Sequence, residues 1–228
     1  MDPSYIKFAI IFAPVLLFSL TFHEAAHAWM SNRLGDPTAR LMGRLSLNPI
    51  VHLDIFGTLM LFLSQFRFGW AKPVPFDPRN FKDVKQGIFL TAAAGPASNV
   101  ILAIGCGLMV RSLIASGWGV QFNDGFTAGL GRIFAQGVIT NLALAFFNLI
   151  PLPPLDGSKI LYGLAPSSWE TALIQFERFG PMVLMMLIMV GFVAGFSPIW
   201  IVIGPFVSVL THAFSGVPMG VLYALIYS

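Results

Sequence analysis

Three side chains in the stretch SLTFHEAAHAWM, residues 19–30, have the types and the spacing for metal chemistry: His23, Glu24 and His27. They read H-E-x-x-H. On a helix, positions four apart differ by about 40° in direction and one turn in height, so both imidazoles leave one face and can grip one ion. Zinc suits neutral imidazole and a tetrahedral arrangement. Glu24 leaves the axis about 100° from His23 and can take a proton from a water activated at the metal. A chance match is the alternative, since only three of five positions are fixed. It fits poorly here. The chain has 4 histidines, and an ionisable group at membrane depth costs at least about 2.5 kcal/mol, so it must be paired or bound to something.

Membrane depth follows from composition. Of the 228 residues, 56% are hydrophobic and 10% charged, against a usual charged share of about 25%. Mean hydropathy is +0.78. A soluble chain this apolar could not cover its own surface, so the fold class is an α-helical polytopic membrane protein. No repeat or flexible linker divides it, and a single integral membrane domain over 1–228 is expected. The net charge is +3. The basic residues are read as topology signals rather than as a nucleic-acid surface. Cys106 lies in an apolar run as a small hydrophobe. The N-terminus, MDPSYIKFAIIFAPVLLF, lacks a charged n-region and a cleavage site, and is expected to stay as the first membrane helix.

Runs long enough to span cover Ile6 to about Trp29, Gly87 to about Ala115 and Phe126 to Ile150, followed by a pair, Pro181–Phe196 and Ile199–Phe214. That makes about five transmembrane helices. The tail MGVLYALIYS is short enough to lie on the interface. His52–Phe66 is too short to cross, and both its flanks are basic: Arg33, Arg40 and Arg44 before it; Arg67, Lys72, Arg79, Lys82 and Lys85 after it. Both flanks therefore face the cytoplasm, and the run between them dips in and returns. FRFGWAKPVPF then reads as short extended β-strands of this re-entrant segment, lining protein or a wet cavity. In this topology the N-terminus and the loop around Asn123 and Asp124 lie outside, and Lys159 and Arg178 lie inside.

Two histidines do not complete a catalytic zinc site, which takes three protein ligands and leaves one open position. In FNLIPLPPLDGSKIL, residues 147–161, Asp156 follows a proline-broken helix end and precedes Gly157. The topology puts it at the same cytoplasmic depth as His23 and His27. It is the candidate third ligand. Its alternative role is an N-cap for a short helix over Gly157–Leu164.

HEAAH in a membrane helix, AGPASN at 94–99 and FNLIPLPPLDG downstream together resemble the site-2 protease family of intramembrane zinc metalloproteases, in the compact branch without a PDZ domain. The likeness covers nearly the whole chain. It implies one zinc ion per chain held by His23, His27 and Asp156, with Glu24 as general base. Asn148 matches a residue that helps to hold substrate or the oxyanion; a helix-to-helix hydrogen bond is its alternative. Gly95 and Asn99 match an element packed near the site, where Asn99 equally suits plain helix packing. The dipping segment matches the family's membrane-embedded strands. Trp70 and Lys72 within it suit either the edge that pairs with an extended substrate or the shaping of a loop. Ser158 departs from the family's usual second glycine. The implied reaction is peptide-bond hydrolysis in or near transmembrane segments of single-span substrates, in the inner (cytoplasmic) membrane, with the site near the cytoplasmic side. Nucleic acid is not an expected partner. His52 and Asp54 read as structural, and His212 as interfacial.

Two rivals stand beside a protease. A metal transporter needs several sites along a path and inverted repeats, whereas the chain offers one site and no repeat. A structural zinc site closes with four protein ligands and has no use for Glu24 beside His23.

Overall fold

The chain begins as one long helix, α1 (Pro3–Arg33), which ends before Gly35 turns the backbone at φ +110°. This computed structural model describes residues 3–66, 68–116 and 125–227; Arg67, Asn123 and Asp124 lie outside them. Then come α2 (Thr38–Leu41), α3 (Ile55–Leu63), α4 (Val84–Ala115), α5 (Phe126–Leu149), α6 (Asp156–Leu164), α7 (Glu170–Ala194), α8 (Pro198–Ser215) and α9 (Met219–Tyr227). Among the described residues, five helical stretches are long and apolar enough to cross a membrane: Phe8–Arg33, Val84–Ala115, Thr127–Leu149, Ser167–Ala194 and Pro198–Ser215.

Polarity is turned inward. On α1, Ser19, Thr21, His23, Glu24, His27 and Ser31 are buried, while Phe18 and Trp29 are 55% and 50% exposed. The buried hydroxyls close on their own helix, Ser19 to the Val15 carbonyl and Thr21 to that of Leu17. Ile101, Leu108, Met182, Val193 and Ile201 face outward from α4, α7 and α8. Water would penalise such a surface, and lipid tails do not.

The central helix is α4, packed against α1, α5, α6 and α8. The Asp83 carboxylate starts it by accepting the Gln86 N–H. A core of Ala103, Val138, Leu142 and Val207 joins α4, α5 and α8.

The dipping segment differs from expectation. Helix α3 has 9 residues, about 14 Å at 1.5 Å per residue, under half of a hydrocarbon core of about 30 Å. Asp54 caps it by accepting the Gly57 N–H at 2.8 Å. The predicted β-strands do not form among the described residues. A single antiparallel bridge, Leu53 to Ala71, and the Lys72 N–H to His52 carbonyl bond at 2.9 Å stand in their place. Pro73 and Pro75 have no N–H to give to a ladder, and the Val74 N–H between them is engaged by Glu24. What results is an extended strap laid over the glutamate.

Two further boundaries shift. Pro181 lies inside α7, which starts eleven residues earlier at Glu170 and so includes Arg178. The tail packs against the bundle. As α9 it buries Leu222, Leu225 and Ile226 in a core with Val110, Ala135 and Ile139.

Candidate metal centre

Helix α1 delivers His23 and His27 from one face, one turn apart. Asp156 arrives from α6. The chain leaves α5 at Leu149, turns through the prolines and starts again at Asp156. Gly157 makes that return possible: a Cβ there would stand 2.3 Å from the Ile150 carbonyl oxygen and 2.4 Å from that of Leu149. The Asp156 side chain caps no N–H of α6. It turns to the histidines instead, so the capping alternative does not describe it.

The three donor atoms form a nearly equilateral triangle. His23 Nε2 and His27 Nε2 are 3.0 Å apart. Asp156 Oδ2 is 3.1 Å from the first and 3.2 Å from the second. All three residues are buried. Ligand atoms on a tetrahedral zinc with bonds of about 2.0 Å stand about 3.3 Å apart, close to these edges.

The far sides of the rings strengthen the fit. His23 Nδ1 lies 2.6 Å from Asn99 Oδ1, and His27 Nδ1 lies 2.7 Å from the Thr91 carbonyl oxygen. Both partners accept, so each Nδ1 carries the proton and each Nε2 presents a lone pair. Two lone pairs and a carboxylate oxygen then point at one spot with no donor among them. A metal cation suits that arrangement, and two imidazoles with one carboxylate suit zinc.

Gly95 on α4 provides the room. A Cβ there would stand 2.4 Å from His27 Nε2 and 2.6 Å from His23 Cε1. Glu24 lies on the strap side, where its Oε2 accepts the Val74 N–H at 3.0 Å. Arg44, itself buried, donates to the Lys72 carbonyl of the same strap.

The other predicted positions are dispersed. Asn99 touches His23 directly. The Asn148 amide donates to the Leu144 carbonyl at 3.0 Å on its own helix. Trp70 is 43% exposed and packs its carbonyl over Gly57. His52 is buried and donates from Nε2 to the Ser46 carbonyl; Asp54 is the cap of α3. His212 is exposed in the last turn of α8. Asn141 was missed: buried on α5, its Oδ1 accepts from Asn99 Nδ2 at 2.9 Å. A second asparagine seven residues before Asn148, in an apolar run, was the available signal.

Fold and site together describe a multi-pass membrane protein with a buried metal centre fit for hydrolysis. The model of Peptidase family M50 matches residues 11–193, and the chain belongs to that family. It is 42% identical over 173 residues to "Putative zinc metalloprotease YwhC" of Bacillus subtilis, across 75% of this chain and 77% of that protein. It is 26% identical over 189 residues to "Putative zinc metalloprotease Rip2" of Mycolicibacterium smegmatis, across 81% of this chain and 69% of that one. No solved structure matches the chain. The chain is thus a metallopeptidase, and Zn2+ is the cofactor its donor set fits.

Proposed function

We propose that this zinc metalloprotease is a single membrane domain, 1–228, that hydrolyses peptide bonds in or near the transmembrane segments of single-span proteins. The observation that carries the reading is the convergence of His23, His27 and Asp156, three acceptors on one point inside an apolar bundle. These three hold the zinc. When bound, it polarises a carbonyl and makes a nearby water acidic. Glu24, the next residue on the same helix, takes the water proton and returns it to the leaving amine. The Val74 N–H donates to one of its oxygens, Oε2, and so anchors the carboxylate to the strap. Asn148 turns its amide from the Leu144 carbonyl to the developing oxyanion.

Basic residues support a cytoplasmic-side site in the inner membrane. Arg33, Arg40, Arg44, Lys72, Arg79, Lys82 and Lys85 cluster between the end of α1 and the first turn of α4, the ends nearest the histidines, and such clusters mark the inner face. The strap at 68–76 offers backbone beside Glu24 to an unwound substrate, with Trp70 at its rim.

The test is cleavage of a model single-span substrate in liposomes by wild type and Glu24→Gln, with the cut mapped by mass spectrometry. Cleavage in or near the span is expected, falling about 10²–10⁴-fold in the variant while one zinc per chain remains. Equal cleavage by the variant refutes the role of Glu24. A zinc-loaded wild type that cuts no span refutes the proposal.

A further inference from the structure

The two histidines are fixed by different means. His27 rests directly on a backbone carbonyl, that of Thr91. His23 rests on a side-chain amide, Asn99, which is fully buried. An amide can flip end for end and offer NH2 where its oxygen stood. A flipped Asn99 would leave His23 Nδ1 without an acceptor and favour the tautomer with its proton on Nε2, which cannot ligate through Nε2. Something must hold Asn99 in one sense.

The neighbouring bonds identify it. Asn99 Nδ2 donates to Asn141 Oδ1 at 2.9 Å and, at 3.4 Å, to the Ser19 carbonyl. Asn141 Nδ2 in turn donates to the Gly137 carbonyl at 2.9 Å, one turn back on α5. Asn141 is 2% exposed. The chain of bonds therefore runs one way: His23 N–H to Asn99, Asn99 N–H to Asn141, Asn141 N–H to a carbonyl. A carbonyl can only accept. The far end cannot invert, so the sense of every bond before it is set.

We infer that Asn141 is a positioning residue for the metal: through Asn99 it locks His23 in the tautomer whose Nε2 is free to ligate. It touches neither the donor triangle nor Glu24. The role rests on the proposal that His23, His27 and Asp156 hold zinc. Partners behind metal-binding histidines carry about 10–100-fold in affinity, and here that effect reaches through two amides.

The test measures zinc affinity by chelator competition on purified full-length protein, together with the melting temperature of the zinc-free form. Asn141→Leu removes the relay at similar size. Asn141→Ser keeps a hydroxyl bond to Gly137, as serine in helices does, but is too short to reach Asn99; it gives the same test where the leucine variant does not accumulate. Gln136→Leu is the control. Gln136 is also buried on α5 but bonds to Thr140, off the relay. The expected result is a zinc Kd about 10-fold weaker or more in both Asn141 variants and unchanged in Gln136→Leu. An Asn141 variant within twofold of wild type overturns the inference, as does an equal loss in Gln136→Leu, which would mark a general packing effect. His23→Ala separates the two claims: if it binds zinc as wild type does, the metal site itself is misplaced.

Discussion

Replacing Gly95 with alanine should weaken zinc binding. A Cβ at 95 would stand 2.4 Å from His27 Nε2, 2.5 Å from His27 Cε1 and 2.6 Å from His23 Cε1. Ordinary contact between such atoms is about 3.5 Å, so each ring must retreat by about 1 Å. Metal geometry tolerates about 0.2 Å. Neither ring can retreat cheaply, because each is held from behind, by Asn99 and by the Thr91 carbonyl. Overpacking of this kind costs about 1–3 kcal/mol. Falling on the zinc-competent arrangement, it weakens the zinc Kd by about 5–150-fold. Alanine is otherwise the better helix former, by up to about 1 kcal/mol in a helix interior. The two effects have opposite signs, which makes the assay decisive. Chelator competition should show weaker zinc binding, and the melting temperature should fall less without zinc than with it, because rings free of the metal can shift further than the ~0.2 Å that metal geometry tolerates. A variant that binds zinc within twofold of wild type refutes the close packing of α4 on the histidines.

Three other outcomes follow from the geometry. Asp36 is fully buried and accepts from Thr38, Asn80 and the Asp77 N–H; burial works to raise its pKa, but these bonds hold it below the usual carboxylate range. Its contribution to stability is then complete above about pH 4 and lost as pH falls through the lower folded value. Asp36→Ala, which strands those donors, should cost about 2–4 kcal/mol at neutral pH and flatten the melting profile in that acid window. Asn148→Ala should retain one zinc per chain while cleavage falls about 10²–10³-fold, the effect of one oxyanion donor; a wild-type rate would return Asn148 to its bond with Leu144. Chelation should lower the melting temperature, since zinc at 1,000 times its Kd stabilises by about 4 kcal/mol, and His27→Ala should show no such shift.

Much of the site was legible because membranes make polar residues conspicuous. His23, Glu24, His27 and Asp156 are costly in apolar runs, so their types and order mark a candidate metal site, and the fold brings His23, His27 and Asp156 together. The prolines announced the break in the helix before Asp156. What could not be read was the work of the backbone. The Thr91 carbonyl and the Val74 N–H hold His27 and Glu24, and every residue owns such groups. Extended sequence at 68–76 suggested strands, yet Pro73 and Pro75 removed the donors a ladder needs. Charge misled at α7, where Glu170, Glu177 and Arg178 hid the first turns of a long helix. The short apolar tail gave no sign that α9 would seat Leu222 in the core.

The central claim is that two imidazoles and one carboxylate hold a single zinc. X-ray absorption on zinc-loaded protein, with metal content for wild type, His23→Ala, His27→Ala and Asp156→Ala, tests it most directly. One zinc per chain is expected, with nitrogen and oxygen neighbours at about 2.0–2.2 Å, two of them imidazoles, and loss of the ion in each variant. A sulfur neighbour near about 2.3 Å, or full zinc in any of the three variants, would contradict it.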